Sequence, residues 1–108
     1  MSADPTRLSA EALGPDLQTV RGLVAEVLML EPSEIGDESR LVLDLGAESI
    51  DFLDLVFRVE DAVGRRVPVE TWEEFVREAA EASEIDPREL ITIRFVAEFL
   101  YRQRQGED

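Results

Sequence analysis

The sequence predicts an all-α fold, a small helical bundle, on three observations. Apolar residues recur at helical spacing in several separate stretches, cap signals bound those stretches, and nowhere do apolar and polar residues alternate as a strand would need. With 108 residues, 44% hydrophobic and 33% charged, the chain suits one domain with one modest core, expected to act as a monomer.

Residues 1–15 mix small, polar and Pro/Gly positions and read as a flexible lead-in, with a short helical turn near Leu8 to Leu13. After Gly14-Pro15, Asp16 is placed to cap a helix in which Leu17, Val20, Leu23, Val24, Val27, Leu28 and Leu30 share a face. Residues 31–48 hold Pro, two Gly and several turn-forming acids without a sustained apolar period, so they read as a long loop. Its Ile35, Leu41, Leu43 and Leu45 predict that it packs down onto the helices.

A second helix runs from Ser49 to Val63 and closes on Gly64, the residue type that best adopts the left-handed conformation of a helix end. Thr71 and Glu74 form a capping-box pattern for a third helix, reaching about Ala82, with Trp72, Phe75, Val76 and Ala79 on its apolar face. Asp86, Pro87 and Glu89 repeat the start signal. Thr92 can then open a fresh segment carrying Ile93, Val96, Ala97 and Leu100, so residues 87–103 form one helix or two with a break. The expected organisation is a four-helix bundle over 16–103, with a long loop between the first two helices and an extra helical segment before the last. Residues 104–108 are expected to be a flexible tail.

Twenty-five acidic residues against eleven basic ones give a formal charge of −14, which repels nucleic acid and anionic membrane surfaces and favours basic partners. Cysteine and histidine are both absent, which removes disulfides, thiolate zinc sites, cysteine nucleophiles and imidazole proton shuttles. No catalytic residue and no metal ligand set is assigned, and no segment has the ligand spacing of an EF-hand. The first residues lack a basic region followed by an apolar stretch, and no apolar run is long enough to span a bilayer, so a cytoplasmic protein without membrane insertion is expected.

The second helix is predicted to have two apolar sides. At about 100° per residue, Phe52, Leu55, Val56, Val59 and Val63 cluster on a core face with Ala62 at its edge. Ile50 and Phe57 fall nearly opposite, among Asp51, Asp54, Arg58 and Asp61, and are therefore expected to face water as a docking patch that combines apolar contact with charge steering. Arg58 is placed to pair with Asp54 four residues earlier.

Residues 41–68, LVLDLGAESIDFLDLVFRVEDAVGRRVP, closely resemble the acyl carrier protein family around its attachment site. In that family a loop ending in Asp-Leu-Gly-x-Asp-Ser-Leu leads into a helix. Here Asp44-Leu45-Gly46-Ala47-Glu48-Ser49-Ile50 fills the pattern, with Glu48 for Asp and Ile50 for Leu as conservative departures. The resemblance implies a discrete, non-catalytic carrier with an acyl-carrier-like bundle. Its Ser49 would receive covalent 4'-phosphopantetheine from coenzyme A by a phosphopantetheinyl transferase, and would then hold acyl groups as thioesters. It also implies partner contacts at Glu48, Ile50, Asp51, Asp54, Phe57, Glu60 and Asp61, although the wheel sets Glu60 nearer the Ser49 side.

The partners so implied are basic-surfaced acyl synthases, reductases or acyltransferases of fatty acid, lipid or polyketide biosynthesis. The residues agree with this independently. A serine has no intrinsic reactivity without a base, and this chain has no histidine to serve as one, whereas a helix N-terminus suits a phosphate placed there. Gly46 is expected to supply backbone freedom in the turn, and Asp44 a local hydrogen bond to loop amides.

The stretch between Pro68 and Thr92 is longer than in simple fatty-acid carriers. It is similar to that of specialised carriers, such as those handling very long acyl chains for lipid A. One expectation is that it widens or lids an acyl pocket with Trp72, Phe75 and Phe95; the plainer one is that it extends the core. From a different class, the chain could be an unmodified acidic helical adaptor binding a basic partner through Ile50 and Phe57.

Overall fold

The computed structural model describes residues 10–106. The expected lead-in and tail therefore fall partly on residues 1–9 and 107–108, which lie outside the described residues, as does Leu8. In order the elements are α1 (Ala10–Leu28), a 3-10 turn (Pro32–Glu34), α2 (Ser49–Val63), α3 (Val69–Ser83), a one-turn α4 (Pro87–Leu90) and α5 (Ile93–Arg104). The fold is a small acyl-carrier-like bundle of four principal helices, with α4 as the extra segment before the last.

The first helix differs from its sequence reading. It begins at Ala10 and passes through Pro15, so Asp16 is not its cap. A proline at this depth forfeits a backbone hydrogen bond and crowds the preceding turn. Tertiary contacts offset that cost, because Leu13 and Leu17 on either side are both buried. Asp16, 1% exposed, reaches inward to Arg104 at 2.5 Å and ties the head of α1 to the end of α5. The two helices thus run antiparallel.

Helix α1 ends on Met29 in the left-handed conformation, φ 58°, with the Leu30 N–H donating to the Ala25 carbonyl at 2.9 Å. That is the six-to-one bond of a Schellman ending, where glycine is the favoured residue. Met29 is 90% exposed and contributes almost no packing. Met29→Gly is therefore expected to raise stability by about 0.5–1 kcal/mol, by relieving side-chain strain at positive φ. A rise in the urea midpoint at unchanged slope is the check.

The core face of α2 is as the wheel places it, with Leu55, Val56 and Val59 buried and Phe52 and Val63 packed at its edge; Ala62 is exposed. Gly64 caps the helix at φ 75°, and its N–H donates to the Glu60 carbonyl. Helix α3 starts earlier than its capping-box pattern suggests. Pro68 is the N-cap, and Thr71 sits within the first turn with its N–H donating to the Pro68 carbonyl. The chain turns straight from buried Val67 into α3, so the helix begins where tertiary packing delivers it.

The alternatives for residues 87–103 resolve into two helices. Asp86 accepts from the Arg88 N–H to open α4, and the Thr92 hydroxyl accepts from the Phe95 N–H at 3.1 Å to open α5. The break between them pairs with the long loop. The Leu41 N–H donates to the Ile91 carbonyl at 2.9 Å, and the Ile93 N–H to Ser39 at 3.1 Å, across an isolated antiparallel bridge between Arg40 and Thr92.

Four of the five phenylalanines gather with the single tryptophan between α2, α3 and α5. Trp72 lies 5.2 Å from Phe99 and 5.9 Å from Phe95, both edge-on, and stacks on Phe52 at 6.0 Å. Phe57 is the one left outside.

Candidate functional site

The loop that delivers Ser49 is held from three directions. Arg21 pairs with Asp37 and also donates to the Ile35 carbonyl at 3.1 Å, fastening the loop to α1. Arg94 binds Glu38 at 2.7 Å, fastening it to α5. Arg40 spans Asp44 and Glu89, each at 2.9 Å, linking the loop to α4. As expected of the packed-down set, Ile35 and Leu41 are buried and Leu45 is partly so, but Leu43 is 43% exposed.

Asp44 accepts from the Arg40 backbone N–H at 2.8 Å as well as from its guanidinium. These bonds lower its pKa to about 2, so the tie is fully charged near neutrality. Gly46, at φ 77°, lets the chain reverse, and the Ala47 N–H returns to the Leu41 carbonyl at 2.8 Å.

Ser49 is then the first residue of α2, and the N-cap position belongs to Glu48. The Glu48 N–H donates to the Asp51 carboxylate at 2.8 Å, half of a capping box. The Ser49 side chain is exposed, and among the described residues its hydroxyl takes part in no hydrogen bond. It lines an apolar groove of about 530 Å³, a size typical of small-molecule sites. Phe52 and Leu53 line it from α2, Val69, Trp72, Val76 and Ala80 from α3, and Pro87 and Ile91 complete the lining. Glu73, Arg77 and Glu81 form a charged rim.

This arrangement corrects the expected division of labour in the added segment. Trp72 lines the groove, whereas Phe75 and Phe95 lie behind it, packed on each other at 4.8 Å. Leu53, outside both faces assigned to α2 from the sequence, is 44% exposed and lines the groove at roughly 40° on the helical wheel, between Ser49 and Phe57. Its wheel angle alone would have found it.

On the outer side, Ile50 and Phe57 are 68% and 63% exposed, with exposed Asp54 and Asp61 beside them. Arg58 binds both Asp54 at 3.1 Å and Glu26 of α1 at 2.6 Å, so one cation sits within the acidic face. Asp51 serves the cap. Glu60 accepts from the Val67 N–H at 2.9 Å and so holds the link between α2 and α3.

Residues 18–76 match the family described as "Phosphopantetheine attachment site", more than half of the chain. The chain belongs to the acyl carrier protein family. Its prosthetic group is 4'-phosphopantetheine, covalently attached, and members of the family are carriers rather than catalysts. Among similar proteins, the acyl carrier protein AcpXL of Brucella melitensis is 39% identical over 59 residues, 55% of this chain and 63% of its own length. The AcpXL of Rhizobium etli is 35% identical over 65 residues, covering 60% of this chain and 71% of its own length. The chain thus spans less than two thirds of the Brucella relative that it matches.

The site fits the group chemically. An unbonded, exposed hydroxyl stands at the first position of a 15-residue helix, beside the Ser49 and Ile50 amides, which have no backbone acceptor among the described residues. These donors and the helix dipole favour a phosphodiester there. No described helix is long and apolar enough to cross a membrane, and no cluster of possible metal ligands occurs among the described residues.

Proposed function

We propose that this protein carries acyl chains as thioesters on 4'-phosphopantetheine attached at Ser49, and delivers them to partner enzymes in the cytoplasm. The observation that carries this reading is the coincidence at one residue of a free hydroxyl, a helix N-terminus and the lining of an apolar groove. The group supplies a terminal thiol on a flexible arm, and the chain's own residues do the rest. The α2 amides meet the phosphodiester, Glu48 and Asp51 hold the helix end rigid, and Phe52, Leu53, Trp72 and Val76 shield alkyl cargo from water. The groove follows α3 from Val69 to Glu81, about 18 Å of helix at 1.5 Å per residue, which favours long acyl chains as cargo.

Incubation with coenzyme A and broad-specificity phosphopantetheinyl transferases, followed by intact mass measurement, tests the assignment. One added phosphopantetheine is expected. No addition with any of several transferases would leave the unmodified adaptor as the reading.

Delivery is proposed to use the outer face of α2. A basic enzyme surface would be steered by Glu48, Asp51, Asp54 and Asp61 and anchored by Ile50 and Phe57, while Glu60 acts indirectly by holding the helix end. Phe57→Ala is expected to leave the thermal melt unchanged and lower the kcat/KM of the transferase for this carrier about tenfold, the effect of losing one anchoring contact of 1–2 kcal/mol. An unaltered kcat/KM would remove the docking role.

A further inference from the structure

The outer face of α2 carries carboxylates at Asp51, Asp54 and Asp61 and a single cation, Arg58. On the helical wheel Arg58 lies about 180° from Ser49, within the arc that also holds Ile50 and Phe57. It directly follows Phe57 in the chain, so a surface seated on that exposed ring meets the guanidinium as well.

The side chain is held from two helices. Its Nε–H donates to Asp54 at 3.1 Å, and its Nη1 donates to Glu26 of α1 at 2.6 Å. A guanidinium has five N–H donors in a rigid fork, and Nη2 makes no hydrogen bond among the described residues. The free donors are therefore fixed in place before any partner arrives, which lowers the ordering cost of using them. The same two bonds alter the local field. Glu26, Asp54 and Arg58 together carry a net charge of −1, where the two carboxylates alone would carry −2. A partner cation aimed at Asp54 meets a carboxylate that is already engaged and a like charge beside it, whereas an uncharged acceptor meets free N–H groups and no opposing charge.

We infer that Arg58 is a specificity-determining residue of the docking face. It disfavours enzymes that present a lysine or arginine opposite it, and it fits a basic-surfaced enzyme whose patch is interrupted there by a carbonyl oxygen. The inference rests on the docking reading of α2.

The test uses the full chain and a broad-specificity phosphopantetheinyl transferase whose docking surface is basic throughout, with kcat/KM measured against salt. Arg58→Gln removes the cation and releases both carboxylates, so kcat/KM is expected to rise about fivefold at ~10 mM salt. The gain should vanish near ~0.5 M, where the Debye length is roughly 4 Å. Arg58→Lys keeps the charge but not the fork that spans Asp54 and Glu26, and should follow the wild type. Both variants should melt close to the wild type, because exposed ion pairs contribute little. Each Lys or Arg of the transferase's docking surface is then replaced by Gln. At one position the change is expected to leave kcat/KM for the wild-type carrier unchanged or higher, and to lower it about fivefold for Arg58→Gln.

An equal rise in Arg58→Lys would assign the effect to the tie between α1 and α2 and overturn the inference. No rise in Arg58→Gln, or parallel responses of the two carriers at every transferase position, would overturn it as well. In each of those cases Phe57→Ala reports separately on docking. Only an unaltered kcat/KM in that variant removes the docking reading, and the role of Arg58 with it.

Discussion

Ser49→Ala is expected to abolish phosphopantetheine incorporation completely, with the mass of the protein unchanged after exposure to coenzyme A and a transferase that modifies the wild type fully. The other hydroxyls that the structure engages are committed to local bonds. Thr19 donates to the Pro15 carbonyl, Ser83 to the Ala79 carbonyl, Ser39 accepts from the Gly36 N–H, and Thr92 caps α5. Ser49 combines a free hydroxyl with a helix head and a groove, and no neighbouring side chain can take over. The fold should survive the change, because the residue is exposed and the N-cap bond belongs to Glu48. Stability should stay within about 0.5 kcal/mol of wild type. Mass gained by the alanine variant would place attachment elsewhere.

Phe99→Ala is expected to lower stability by about 3–5 kcal/mol, a large part of the 5–15 kcal/mol typical of a domain. The ring is 1% exposed and lies 5.2 Å from both Trp72 and Phe75, so its removal opens a cavity where α3 is held to α5. Helix α3 has no polar tie to α2 or α5 among the described residues, so the loss cannot be made up by hydrogen bonds or ion pairs. The urea midpoint should fall steeply at constant slope. Phe57→Ala supplies the contrast, since a ring 63% exposed should cost little. Equal losses in the two variants would mean that the aromatic cluster is not the core it resembles.

The loop and α4 explain why some features were open to sequence reading and others were not. Gly46, Gly64, Asp86 and Thr92 act on partners within a few residues, and each plays the local part its type suggests. Pro15 and Thr71 mislead for the opposite reason. Pro15 is tolerated because Leu13, Asp16 and Leu17 pack into the bundle, and Thr71 loses the cap to a packed Val67–Pro68 turn.

By itself the sequence determined the helical class and the two-sided character of α2, and singled out Ser49 as the proposed attachment residue, because caps and periodicity act over one or two turns. The tertiary structure decided which aromatic rings line the groove and how Arg40 joins the serine loop to α4. Those relations depend on how α3 is rotated about its axis and set against α2 and α5. That placement comes from the summed packing of residues far apart in the chain, and no local pattern encodes it.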